Sequence, residues 1–241
     1  MANMFTGATV FNGDITTWNT GSVTNFISMF NNAKAFNQDL SSWNTGSVTS
    51  MANMFTGATV FNGDITTWDT SAVTNMTSML SGPASFNQDI SSWNTGSVTT
   101  TSGMFRGATA FNQNIGSWDM SNVTDISRMF QKATAFNQNI GSWDTSSVAN
   151  MSNLFVDASN FDQDLGGWDI GSLTNAASMI NSNLSSSNYD ALLIGWAAQA
   201  PNIQSNVTLS TGPQYTSAAA SARNVLTSTY NWTISDAGQA P

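Results

Sequence analysis

The strongest constraint on this chain of 241 residues is a repeat of 25 residues. A tryptophan recurs at this interval through seven units. Phenylalanine, aliphatic and valine positions recur at the same interval. One unit is too short to bury its own apolar residues, so neighbouring units must stack and close a shared core. The repeat therefore predicts a solenoid. The tryptophans that mark it are Trp18, Trp43, Trp68, Trp93, Trp118, Trp143 and Trp168.

Each unit carries two local signals. Apolar residues from Met51 to Ala58 follow the i, i+3, i+4 and i+7 spacing of a helix of about two turns. Thr24 and its equivalents precede this segment and suit a helix N-cap. The segment Phe36–Trp43 holds β-branched and aromatic residues, which predicts a short strand. We therefore expect an α/β-type repeat solenoid of about seven coils over residues 1–175, each with a short strand and a short helix or helical turn, in a parallel ladder.

The repeat fades past about residue 176. Tyr189–Gln199 and Ser217–Thr229 have the pattern of helices, and Val207–Leu209 and Trp232–Ile234 that of strands. Solenoids need an atypical end to cover their last coil, so residues 176–241 are predicted to form an α+β C-terminal capping module. No similar module precedes Met1, which predicts an open N-terminal edge suited to a partner or to self-association.

The composition excludes several function classes. The chain has no His, Cys or Glu and a formal net charge of −9. A Ser-His-Asp triad, a thiol nucleophile and a zinc finger are therefore excluded. Five scattered cations cannot form a basic stripe, so we expect no nucleic acid partner. The apolar runs are too short to span a bilayer, so we expect no membrane insertion. Because these catalytic groups are missing, we also expect no enzymatic activity.

Two columns contain nine of the fourteen acidic residues, all of them Asp. Stacked carboxylates repel each other, so they are solvated, held by hydrogen bonds in turns, or bridged by a hard cation. Turn formation is the favoured interpretation, and calcium binding is the alternative. The candidate calcium ligands are Asp14, Asp39, Asp64, Asp89, Asp119 and Asp144. No other cofactor is expected.

The Trp and Thr columns are the candidate ligand-binding residues. An exposed Trp ladder over Trp18–Trp143 would suit sugar rings, whereas a bend after the strand would bury it, which is the favoured interpretation. Regular Thr ranks on a flat face would suit ice, because ordered hydroxyls and methyls can template water. One rank contains Thr20, Thr45, Thr70, Thr95 and Thr145; the other contains Thr24, Thr49, Thr74, Thr99, Thr124 and Thr174.

The unit seen from Val148 to Trp168 resembles the repeat of BspA-like leucine-rich-repeat surface proteins, in the form also known from mycoplasma lipoproteins. The segment Tyr189–Ile234 is similar to the tail that follows such arrays in environmental bacterial proteins. The resemblance implies that the solenoid is leucine-rich-repeat-like and is extracellular or displayed at the cell surface. It also implies adhesion or ligand binding, and it supplies no catalytic residues.

We therefore expect a non-enzymatic surface solenoid that binds an unidentified glycan or protein. One alternative is a structural subunit of an extracellular fibre, sheath or phage appendage that stacks through its N-terminal edge. The other alternative is an ice-binding protein that uses the Thr ranks.

Overall fold

Successive repeat units are joined by backbone hydrogen bonds. The computed structural model describes residues 1–180, 183–210 and 212–241. The amides of Ser28, Phe30 and Asn32 donate to the carbonyls of residues 24 positions further along, at 2.9, 2.8 and 2.7 Å. The same bonds recur from one unit to the next, so each unit forms a coil that stacks on its neighbour.

The predicted helix does not form in the repeat units. The amides between the ladder donors bond three residues back, as in Met29 N to Phe26 O and Ala33 N to Phe30 O, where an α-helix would bond four back. Ser28 and Asn32 have positive φ, 53° and 57°, which a helix does not tolerate. The segment is a series of tight turns, which buries residues at the same i, i+3, i+4 and i+7 positions as a helix would.

The predicted strand at Phe36–Trp43 and its equivalents is also wrong, since residues 36–40 have no regular secondary structure and a turn follows at Ser41 and Ser42. Parallel pairing occurs elsewhere, at one residue per coil. These isolated bridges join Asn25, Ser50, Asn75, Thr100, Asp125, Asn150 and Asn175. Along the unit, amides that bond to the next coil alternate with amides that bond within a turn. The unit therefore lacks the run of bonds to a neighbouring segment that defines a strand.

The core of the coils consists of stacked aromatic columns. Within the second coil, the rings of Phe30 and Phe36 stack with centroids 3.9 Å apart. Between coils, Phe36 lies 6.0 Å from Phe61, and Trp43 lies 6.5 Å from Trp68. Met and Val columns fill the remaining space and are fully buried over most of their length. The interior is continuous with the apolar residues of the C-terminal segment.

Helices and strands occur after the coils. Helix α1 spans Ser186–Ala197, with Ser185 as its N-cap, and α2 spans Ala220–Asn224 and continues as a π-helical segment, Val225–Thr229. Strands β1, Thr208–Ser210, and β2, Thr233–Ser235, pair in parallel. The predicted helix at Tyr189–Gln199 is confirmed, but it begins three residues earlier than expected.

The C-terminal segment packs on the edge of the last coil. Its side chains make hydrogen bonds to that edge. From Trp43 to Trp168 each indole N–H donates to a carbonyl of the preceding coil, and Trp196 continues this row by donating to Leu165 O at 3.2 Å. The Gln199 amide accepts from Ile170 N and donates to Trp168 O. Strand β1 meets the ladder at Ala176. The edge of the seventh coil is therefore covered.

The assignment to the leucine-rich-repeat-like class and the domain boundary at residue 176 stay predictions. No helix in the described ranges is long and apolar enough to cross a membrane.

Candidate functional site

The Trp column lies inside the stack. Trp43, Trp93 and Trp143 are 3–4% exposed, and only Trp18, in the first coil, is half-buried. A turn closed by Trp43 N and Leu40 O directs the ring inward, in line with the favoured interpretation that a bend buries the Trp column. The indole N–H then finds a carbonyl, at 3.1 Å for Trp43 and Ile15 O. Buried rings offer no face to a sugar, so the interpretation of Trp18–Trp143 as a sugar-binding ladder is corrected.

The first Thr rank is buried as well. Thr20, Thr45, Thr70 and Thr95 are at most 2% exposed. Their hydroxyls donate to the carbonyls of the next coil, at 2.9 Å for Thr20 and Asn44 O and 2.8 Å for Thr45 and Asp69 O. These hydroxyls replace backbone bonds between coils. This rank therefore cannot contact ice or any other external ligand.

The second Thr rank is exposed. The hydroxyls of Thr49, Thr74 and Thr99 each donate to the carbonyl of the preceding coil's Thr, at 3.2, 3.2 and 3.0 Å. Their amides donate to the same carbonyls at 2.9 Å. The predicted helix-capping role is wrong because no helix follows. The rank is instead an external ladder with its side chains held in one orientation.

The two Asp columns form turns. The carboxylate of Asp119 accepts the amide and hydroxyl of Ser121, at 3.0 and 2.6 Å, and the other candidate ligands accept from the residue two positions on. Those ligands are Asp14, Asp39, Asp64, Asp89 and Asp144. Asn114 makes the same turn with Gly116 N at 3.0 Å. Since an amide oxygen serves as well as a carboxylate, the turn needs an acceptor and no charge, as the favoured interpretation expected.

Calcium binding by these columns stays a prediction. Within the described parts of the chain, no three acidic residues are arranged to hold a metal ion. A melting midpoint that rises on addition of Ca²⁺ and returns with chelator would support the calcium interpretation.

We expect stability to decline when the pH falls below about 4. Hydrogen bonds from the residue two positions on, chiefly the side-chain hydroxyl, lower the pKa of Asp14, Asp69 and Asp119 below the usual value of 3.8. For Asp39 the backbone N–H of Ser41 is the main cause. Because the folded pKa is the lower one, the stabilisation is complete above the usual value and is lost as the pH falls through the folded value.

Thermal melts between pH 7 and pH 2 measure this loss. Each carboxylate is exposed, so its own effect is small and the decline is the sum over the columns. Replacement of Asp119 by Asn keeps the turn acceptor and removes the titration, and this variant should lose less stability in acid than the wild type. An identical acid profile for the two proteins would contradict the expectation.

A cluster of cations was missed at the level of sequence. Arg106, Arg128 and Lys132 are exposed and lie on adjacent coils. The amide of Gly107, next to Arg106, donates to Gln131 O at 2.7 Å, and Gln131 N donates to Arg128 O at 3.1 Å. The separation of 22 residues between Arg106 and Arg128 conceals their proximity. Comparing each cation with positions about 25 residues away would have revealed it.

Comparison with known proteins agrees with the repeat architecture. The family model described as mycoplasma protein of unknown function, DUF285, matches residues 1–93 and 81–196, which is well over half of the chain. No curated protein and no solved structure matches. The tandem match is what a repeat protein gives, and the chain belongs to the DUF285 family.

Proposed function

We propose that the chain is a non-enzymatic, BspA-like repeat protein, displayed outside the cell, that binds a glycan or protein ligand. The observation that carries this proposal is the division of the columns into a buried apolar set and an exposed polar set. Trp, Phe and Met face inward together with the first Thr rank, while the second Thr rank and most Asn, Gln, Ser and Asp side chains of the coils lie at the surface. The absence of His, Cys and Glu from the sequence supports the non-enzymatic part.

The outer polar groups are held in place by bonds between coils. Asn12 Oδ1 accepts the amide of Asn37 at 2.9 Å and the side-chain amide of Gln38 at 3.0 Å. Asn37 Oδ1 accepts the amide of Asn62 in the same way, at 2.7 Å. An ordered surface loses little side-chain entropy when a ligand binds, which favours recognition of an extended, regular ligand.

Binding to immobilised neutral glycans, acidic glycans and extracellular matrix proteins tests the proposal. We expect saturable binding to at least one class and a monomer in light scattering. Acid-unfolded protein is the control and should not bind. Absence of binding to every class, or particles that lengthen with concentration, would contradict the proposal. The second result would favour an assembly subunit, and stacking through the N-terminal edge stays a prediction.

Ice binding is a second candidate, and it now rests on the exposed rank alone. Thr24, Thr49, Thr74, Thr99 and Thr124 follow one another along the coils, with Ala149 interrupting the rank before Thr174. The hydroxyls of Thr49 and Thr74 donate to backbone carbonyls of the preceding coil, which holds successive side chains of the rank in one arrangement. Thermal hysteresis that disappears in a Thr74→Lys variant would support this candidate. Absence of hysteresis in the wild type would remove it.

A further inference from the structure

The three clustered cations occupy positions where most other coils have small or neutral residues. Asn3, Asn53 and Asn153 occupy the column of Arg128. Gly7, Gly57, Gly82 and Gly107 occupy the column of Lys132. Thr6 and Thr56 occupy the column of Arg106. The repeat is therefore altered at this corner of the fifth and sixth coils, and the alteration adds positive charge each time.

The backbone conformation makes two of these substitutions unfavourable for folding. Arg128 and Lys132 have φ of 57° and 62°, in the left-handed region that Gly and Asn adopt most readily. This conformation recurs at the same two columns in the other coils, and long side chains in it are uncommon. The fold would be served at least as well by the Asn and Gly of the neighbouring coils. The cations therefore need an explanation other than stability.

The backbone positions of the three cations are close together. Gln131 is three residues from Arg128 across a tight turn, and such turns hold their ends within about 7 Å. Arg106 lies one coil away, next to the residue that bonds to Gln131 O. Two acidic residues lie near these positions: Asp157 occupies the column of Lys132 on the next coil, and Asp125 precedes Arg128 by three residues. The patch thus retains net positive charge on a chain of net charge −9.

Gln131 lies at the centre of the patch with an unused acceptor. Its Oε1 is buried, and within the described residues no group donates to it. In the same column Thr6 and Thr56 use their hydroxyls to bond the next coil, at 2.7 and 2.6 Å. The fold therefore holds Thr in this column by a hydrogen bond and leaves the Gln131 amide oxygen without one. Reorientation of this amide toward a hydroxyl donor would remove the penalty of an unpaired buried acceptor.

We propose that Arg106, Arg128 and Lys132 form a binding site for an acidic polysaccharide, with Gln131 contacting a sugar hydroxyl. Guanidinium groups bind carboxylates and sulfates with paired hydrogen bonds, and a sugar supplies the hydroxyl donors that Gln131 lacks. The site rests on the proposed function and names the ligand class for it.

A polysaccharide fits this patch better than a nucleic acid does. Three cations would neutralise few phosphates, and phosphate neutralisation supplies much of the affinity for nucleic acid. The Trp rings of the fifth and sixth coils, Trp118 and Trp143, are 3% exposed and offer no face on which a base could stack. An acidic polysaccharide has wider charge spacing and exposes hydroxyls between its charges. Charges more than about 10 Å away are screened at moderate salt, so the local patch dominates.

Polygalacturonate is the probe, with binding to the full chain measured by calorimetry at two salt concentrations. The test variant combines Arg106→Thr, Arg128→Asn and Lys132→Gly, each of which introduces a residue found in the same column of another coil. We expect this variant to fold, to be at least as stable as the wild type, and to bind about tenfold more weakly or worse. Binding by the wild type should weaken as salt rises.

Two further variants sharpen the test. Lys34→Thr removes one cation outside the patch, at a column where Thr9 and Thr59 occur, and should leave affinity unchanged. Asp157→Gly removes the acidic neighbour at a position with φ of 60° and should strengthen binding a few-fold. A sulfated glucan in place of polygalacturonate distinguishes sulfate from carboxylate recognition and should depend on the same residues.

The proposal is overturned if the wild type does not bind either acidic polymer, if the triple variant binds as well as the wild type, or if neutral dextran binds equally. Equal dependence of single-stranded DNA binding on the three cations would show a general polyanion site and would also overturn it. Binding of a neutral glycan or protein that survives the triple variant would refute the patch while leaving the proposed function intact.

Discussion

Replacement of Trp93 by Ala is expected to lower the free energy of unfolding by about 3–5 kcal/mol. The ring is 4% exposed and lies between Trp68 and Trp118, with centroids at 6.3 and 6.4 Å. Its N–H donates to Ile65 O at 3.2 Å. The substitution removes two stacking contacts, leaves a cavity and removes one of the two donors to that carbonyl, which keeps Trp68 N. Urea unfolding followed by circular dichroism measures the loss.

Two variants separate the contributions to this loss. Trp93→Phe keeps an aromatic ring and removes only the hydrogen bond with part of the volume, so we expect a smaller loss, of about 1–3 kcal/mol. Trp18→Ala acts on a half-buried ring of the first coil and should cost less than Trp93→Ala. Equal losses at Trp18 and Trp93 would contradict the structural role assigned to the buried column.

The position of residues along the repeat could be predicted from the sequence, but not their local conformation. The spacing from Met51 to Ala58 correctly indicates which side chains are buried. A series of tight turns with a positive φ every four residues gives the same spacing as a helix, so periodicity alone cannot distinguish them. Asn53 and Gly57, which tolerate positive φ, were the available signal against a helix.

The facing of the polar columns depends on contacts between coils. Thr45 and Thr49 are four residues apart in one unit, yet one is buried and the other is exposed. The difference arises because Thr45 reaches forward to Asp69 O while Thr49 reaches back to Thr24 O. Neither partner can be identified within a single unit.

The end of the repeat was hidden by a shift in register. A search at the repeat interval finds no Trp after Trp168, but Trp196 continues the row from helix α1. The backbone changes from turns to helix there, so the same position in space is reached after a different number of residues. The Trp column of the sequence therefore ends at Trp168, whereas the row of hydrogen-bonded indole groups extends to Trp196.

Replacement of Asp236 by Ala is expected to destabilise the C-terminal segment by about 3–5 kcal/mol. The carboxylate is 3% exposed and bonds Arg223 through Nε at 2.7 Å and Nη2 at 3.1 Å. It also accepts from Tyr189 at 3.0 Å and from Gly238 N at 3.2 Å. Burial raises the pKa of Tyr189, so its hydroxyl stays protonated and donates. The substitution leaves the hydroxyl without its acceptor and the guanidinium with Ile234 O, at 3.2 Å, in place of the carboxylate.

The size of this effect follows from what remains after the carboxylate is removed. Arg223→Met removes the positive charge but leaves Asp236 with Tyr189 and Gly238 as donors, so its cost should be lower. The double variant Arg223→Met/Asp236→Ala leaves no uncompensated charge and should cost less than the sum of the two single variants. Asp157→Asn, an exposed control, should change stability by no more than about 0.5 kcal/mol.

If the two single costs are additive, the pair is not coupled and the network does not hold β2 against α1. If they are not additive, amide exchange in α1 of the Asp236→Ala variant should be faster than in the wild type, because Tyr189 loses its link to the C-terminal strand.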